Sequence, residues 1–163
     1  MPADPTRPAS KLVAFTDFGA PPGGNAPSHA QSVSRRLKVL VIDDNELNLI
    51  IASDMLQFVG HDACTAASGA DGIAMCAVFG PDVVLMDLLM RGMNGCEALR
   101  RLRAMQHAGE LPPFSIIGAS ADVDDDIRRE CREAGMDEVI DKPLDVAVLR
   151  AQLERAAPRC SAR

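Results

Sequence analysis

The chain has no tryptophan, no tyrosine and only five phenylalanines among its 163 residues. That removes most of the flat aromatic surface on which bases or a flavin ring would stack. A cationic surplus is also missing: 17 Lys and Arg stand against 23 Asp and Glu, for a net charge of −6. A nucleic-acid binder needs clustered Lys and Arg against phosphates, so this balance argues against that class. The cysteines, Cys64, Cys76, Cys96, Cys131 and Cys160, are odd in number and form no C-x-x-C pair, and the three histidines are scattered. A zinc site or disulfide framework is therefore not indicated, and reduced thiols are the simpler reading. No apolar run is long enough to cross a bilayer, and no basic-then-apolar leader opens the chain. The sequence reads as a cytoplasmic protein without a membrane partner.

What is present is ample core material, with 47% hydrophobic residues. Its distribution is uneven. Residues 1–35 are rich in Pro, Gly, Ala and Ser and cannot bury enough surface to offset their ordering entropy, which predicts a disordered tail. Within that tail "KLVAFTDFG" is a small apolar island, read either as incidental sequence or as a short docking motif. Residues 36–157 form the folded domain, and 158–163 a short C-terminal tail.

From Lys38 a strict alternation begins. Strand candidates are "KVLVIDD", "HDACTAAS", "PDVVLMD", "FSIIGAS" and "MDEVID". Helix candidates are "NELNLIIASDMLQFVG", "GADGIAMCAVFG", "GCEALRRLRAM" with a basic outer face, "ADVDDDIRRECREAG" and "DVAVLRAQLERA". Gly60 and Gly80 stop the first two helices. The strands are continuous apolar runs, so both faces of the sheet are covered. The pattern predicts an α/β fold: a doubly wound, flavodoxin-like, five-stranded parallel sheet in order 2-1-3-4-5, flanked by five helices.

In such a sheet, ligands bind beyond the carboxyl ends of the strands. The first strand ends in Asp43 and Asp44, the third in Asp87, the fourth in Ser120, and the fifth is followed by Lys142 and Pro143. The strand order brings these side chains to one pocket. Three carboxylates held together repel by on the order of 4 kcal/mol per pair at about 4 Å, and one lysine cannot balance them. A hard divalent cation with oxygen ligands can, and Mg²⁺ takes one or two carboxylates plus water and phosphate oxygens. The constellation describes a phosphoryl site. Asp87 is the expected nucleophile forming an aspartyl phosphate, with Lys142 on one phosphoryl oxygen and Ser120 on another.

These residues resemble a bacterial two-component response-regulator receiver domain. The segments that carry the resemblance are "VLVIDDNELN", "VVLMDLLMRGMNG", "IIGASA" and "AGMDEVIDKPL", in the family's order and spacing over about residues 37–156. "DDNELN", "GMNG" and "GMDEVIDKP" look most like receivers of hybrid sensor kinases and phosphorelays. The resemblance implies that Asp87 is the phosphoacceptor. It implies that Asp43, Asp44, Asp87 and the backbone carbonyl of Leu89 hold the metal, that Ser120 is the switch hydroxyl, and that Lys142 precedes a cis bond to Pro143. It also implies a phosphohistidine donor on a histidine kinase or histidine phosphotransfer protein. After Lys142 only one helix and a short tail follow, so a stand-alone receiver signalling by protein contact is expected, not an enzyme beyond self-phosphorylation from small donors and slow self-dephosphorylation. Leu89 offers no polar side chain to orient attacking water, which predicts a long-lived phosphoryl group.

Two positions depart from the family pattern. Arg91 stands where "D-x-x-M-P" has proline, and Val139 stands where the fifth strand usually carries Tyr or Phe, so readout through a ring rotamer is unavailable. These departures favour the alternative of a degenerate receiver that binds partners without phosphorylation. The intact acids and Lys142 count against it. A dehalogenase-like phosphatase would need an acid where Leu89 stands, and a flavodoxin would need a hydroxyl-rich loop after the first strand.

Elsewhere, ordinary structural readings prevail. The acids of "DVDDD" (122–126) suit the first turn of a helix better than a second metal site. His61 reads as a surface residue in a turn and Cys160 as an exposed inert thiol. In the first helix Leu47, Ile51 and Met55 recur at helical spacing and are expected to face the sheet. Leu49 and Ile50 then fall partly outside that stripe, and the receiver resemblance, in which the first helix is a common docking surface, implies them as a contact for phosphotransfer partners.

Overall fold

The computed structural model describes residues 35–121 and 125–157. The tail expected at the N-terminus with its apolar island, the acids at 122–124, and the C-terminal residues with Cys160 lie outside them. Ten elements alternate: β1 (Lys38–Ile42), α1 (Glu46–Phe58), β2 (Asp62–Ala66), α2 (Gly69–Phe79), β3 (Val83–Asp87), α3 (Gly95–His107), β4 (Ser115–Ser120), α4 (Asp125–Glu133), β5 (Glu138–Asp141) and α5 (Val146–Ala156). The strands form one parallel sheet in the order β2-β1-β3-β4-β5. The βα rhythm and continuous apolar strands lead to this doubly wound arrangement, as the sequence predicts.

Alternate strand residues feed two cores. Leu40, Ile42, Val84, Met86 and Ile116 point to one side of the sheet, where Leu99, Leu102 and Cys131 from α3 and α4 cover them. Val39, Val41, Val83, Leu85 and Ile117 point to the other side, against Leu49, Leu56, Leu149 and Leu153 of α1 and α5. Each helix start is specified locally where a polar cap precedes it. Asn45, Ser68, Asn94 and Asp145 accept backbone N–H groups of the first turns of α1, α2, α3 and α5. Gly60 and Gly80 close α1 and α2 at φ 91° and 59°, conformations that cost other residues more than glycine.

The face of α1 agrees with expectation at Met55, which packs partly buried against the core, and differs elsewhere. Leu49, Ala52 and Leu56 face the sheet, whereas Leu47 (62%), Ile50 (52%) and Ile51 (41%) are exposed. The helix is apolar around most of its circumference, so side-chain hydropathy alone does not set its rotation. Ala52 lets the backbone lie close to the sheet, and Asn48 is tied to Asp43, which turns Leu49 inward. Leu49 is therefore a core residue and not a partner contact.

His61 also departs from expectation. It is 6% exposed, and its Nδ1 accepts the Leu37 N–H at 3.3 Å. Burial, and next to it the positive charge of Arg150, hold its pKa below the usual value, although Asp62 and Glu154 pull the other way.

Candidate functional site

The carboxyl ends of β1, β3, β4 and β5 lie side by side because those strands are neighbours in the sheet. Asp43 follows β1 and is buried at 4% exposure, and Asp87 ends β3 at 7%. Two buried carboxylates need compensation, and Lys142 supplies it from the turn after β5. Its Nζ lies 2.6 Å from Asp43 Oδ2 and 3.2 Å from Asp87 Oδ1. Asp43 also accepts the Asn45 N–H at 2.9 Å and the Asn48 side-chain amide at 3.1–3.2 Å. Asn48 is a site residue that the sequence reading did not single out. It stands five residues after Asp43, where a capped helix must bring its first turn back over the strand end.

Asp87 is held differently. Its Oδ1 accepts the Leu89 N–H at 3.2 Å as well as Lys142, and among the described residues both contacts fall on that one oxygen. Burial pushes its pKa up, opposed by the Leu89 N–H and Lys142 and reinforced by Asp43. The loop that leaves it is pinned by Leu88 and Met90, which are buried, while Leu89 between them is 65% exposed. Gly95 completes the pinning. A Cβ there would stand 2.6 Å from the Asp87 carbonyl oxygen and 2.8 Å from the Leu88 Cα, so α3 can begin this close to the site only with glycine.

Asp44 turns toward the same loop. Its Oδ2 accepts both the backbone N–H and the Nε–H of Arg91, each at 3.0 Å. These bonds hold its carboxyl below the usual range. Asp43, Asp44 and Asp87 each offer an oxygen within 4.8 Å of the others. That donor set is hard, anionic and only partly balanced by Lys142, and it fits a divalent cation such as Mg²⁺.

Ser120 is 1% exposed at the end of β4, and its carbonyl accepts the Lys142 N–H at 2.8 Å. The Lys142–Pro143 peptide bond is cis. Val139 is buried in the core beside α4, and its carbonyl accepts Arg128 Nη1 at 3.0 Å. A cavity of about 180 Å³ opens beside Asp43 and Asp87, walled by Ile51, Met55, Pro143 and Leu144.

Residues 39–154 match the family model described as "Response regulator receiver domain". The chain belongs to the response-regulator receiver family. Among curated relatives, the virulence sensor protein BvgS of Bordetella bronchiseptica is 34% identical over 155 residues, covering 92% of this chain and 12% of the relative. The chain thus spans about an eighth of that relative's length. Chemotaxis protein CheY4 of Vibrio cholerae superposes with a TM-score of 0.67 at 25% identity, over 74% of this chain and 98% of that one. The receiver domain of the sensor histidine kinase PA1611 of Pseudomonas aeruginosa, solved with magnesium in its active-site cleft, gives 0.65 at 26% identity, over 74% and 97%. As a receiver, the chain is a module of two-component signal transduction. Among the described residues, no helix is long and apolar enough to cross a membrane.

Proposed function

We propose that this receiver accepts a phosphoryl group on Asp87 from a phosphohistidine of a histidine kinase or histidine phosphotransfer protein. The observation that carries the reading is the Lys142 ammonium shared between the buried carboxylates of Asp43 and Asp87, with an Asp44 oxygen within 4.8 Å. A buried acid cluster with one lysine is costly to fold and unneeded for packing, but it suits a phosphoryl group.

In the reaction, an Asp87 carboxylate oxygen attacks phosphorus. The P–O bond forms as the P–N bond to the donor imidazole breaks, and the imidazole carries away the electron pair. Leu89 N–H and Lys142 hold Asp87 Oδ1, which orients the carboxylate and leaves Oδ2 for attack. Lys142 then pairs with a phosphoryl oxygen and the Ser120 hydroxyl with another. Asp43, Asp44, Asp87 and the Leu89 carbonyl are the residues that would hold Mg²⁺, which when bound neutralises charge on the transferring group. The donor docks over α1, where Leu47, Ile50 and Ile51 are exposed next to the site.

Transfer from a ³²P-labelled phosphohistidine donor to the wild-type chain, but not to Asp87→Asn, tests this reading. Label that never leaves the donor favours the second one, a receiver that binds partners without phosphorylation. The Arg91 contact on Asp44 and the valine at 139 support that alternative.

A further inference from the structure

Arg91 takes no part in the proposed transfer, yet it makes two of the contacts in the site. Its backbone N–H and its Nε–H converge on one oxygen, Asp44 Oδ2, at 3.0 Å each. A proline here would offer neither donor. The turn that aims them is fixed on both sides: Met90 is buried in the core, and Gly92 adopts φ 80°. The two halves of the contact differ in permanence. The backbone donor belongs to the pinned loop. The guanidinium is on a side chain 91% exposed, against 21% for the Asp44 side chain, so it can leave without opening any packing. The other cation of the site, Lys142, is engaged by Asp43 and Asp87.

We propose that Arg91 is an exchangeable counter-cation that competes with the divalent metal for Asp44. This rests on Asp43, Asp44 and Asp87 being the metal site. In the metal-free protein the guanidinium occupies Asp44 Oδ2. Metal entry displaces it into solvent at the mouth of the site, so the chain binds its metal more weakly than the same acids would without Arg91. The residue sets the cation concentration at which the site fills.

Isothermal titration of Mg²⁺ into the full chain, comparing wild type, Arg91→Gln, Arg91→Pro and Asp44→Asn, tests this. Arg91→Gln is expected to bind about two- to fivefold more tightly than wild type, the scale of a solvent-exposed charge pair. Arg91→Pro, which removes both donors, is expected to bind at least as tightly. Arg91→Gln alters only an exposed side chain, so its value stands even where Arg91→Pro disturbs the loop. A nuclear magnetic resonance readout separates contact from mere charge. The Arg91 Nε–H signal of the wild type should move on addition of Mg²⁺ toward its position in metal-free Asp44→Asn. Equal affinities of wild type and Arg91→Gln would overturn the inference alone, as would an Nε–H signal that ignores the metal. No Mg²⁺ binding by any variant would overturn the metal site and this inference together.

Discussion

Replacing Asp87 by asparagine should make the metal-free protein more stable, although it removes the proposed phosphoacceptor. Asp43 and Asp87 are both nearly buried. At the 4.8 Å within which their ligand oxygens lie, two carboxylates repel by about 3.5 kcal/mol at an effective dielectric near 20. Burying the second charge adds a desolvation cost of several kcal/mol. Against this, the attraction of Asp87 for Lys142 at 3.2 Å is about 5 kcal/mol on the same scale. The balance is a net cost on the order of 1–3 kcal/mol for the ionised side chain. Asparagine keeps the shape and an oxygen to accept the Leu89 N–H, and it leaves Lys142 wholly to Asp43. Urea unfolding at neutral pH with a chelator present, followed by far-ultraviolet circular dichroism because the chain has no tryptophan, should give a higher midpoint for Asp87→Asn at unchanged slope. Adding Mg²⁺ should narrow the gap, since the native wild type gains more from the cation. A variant less stable than wild type without metal would mean that the attraction of Lys142 outweighs both repulsion and burial, contrary to this balance.

Three further outcomes follow from other parts of the molecule. Arg103 donates from α3 to the Gly135 and Phe114 carbonyls and to Asp137, whose Oδ2 also accepts the Ile116 N–H. Arg103→Ala should lower stability by about 2 kcal/mol in the same urea experiment, whereas Arg101→Ala, an exposed i,i+4 partner of Glu97, should change it little. Buried His61 binds its proton less readily in the folded state than its usual pKa of 6.5. Its contribution is therefore fully present above about pH 6.5 and is lost as pH falls through the lower folded value. His61→Asn should flatten the fall in stability below that pH, and an unchanged slope would remove the assignment. Leu89, exposed and apolar, orients no water toward Asp87, so the aspartyl phosphate should outlast minutes, and Leu89→Asn should shorten its lifetime in a timed intact-mass series.

The sheet order and the gathering of polar strand ends were legible because both follow from local pattern. Apolar runs, capping residues and glycine stops define the elements, and the crossover rule then fixes where the strand ends lie. Asp43, Asp44, Asp87, Ser120 and Lys142 stood out because polar groups at the ends of buried strands require an explanation. Illegible features were those set by rotation or distant packing. In α1 the apolar residues surround the helix, and the inward face is chosen by Ala52 and by the Asn48 tether to Asp43. Arg100, Arg101 and Arg103 look alike in "RRLRAM", yet only Arg103 stands over the turn before β5, against Gly135. His61 follows a helix-ending glycine, a setting common on surfaces, but it is buried and accepts the N–H of Leu37, the residue before β1. The Arg91 contact on Asp44 depends on how the loop after β3 folds back across β1, which no local pattern of "LLMRGMNG" specifies.

The measurement that bears most directly on the central claim is the intact mass of the chain after incubation with acetyl phosphate, with and without Mg²⁺, beside Asp87→Asn. The expected result is a Mg²⁺-dependent gain of one phosphoryl group in the wild type and none in the variant. No gain under either condition, or an equal gain in the variant, would contradict it.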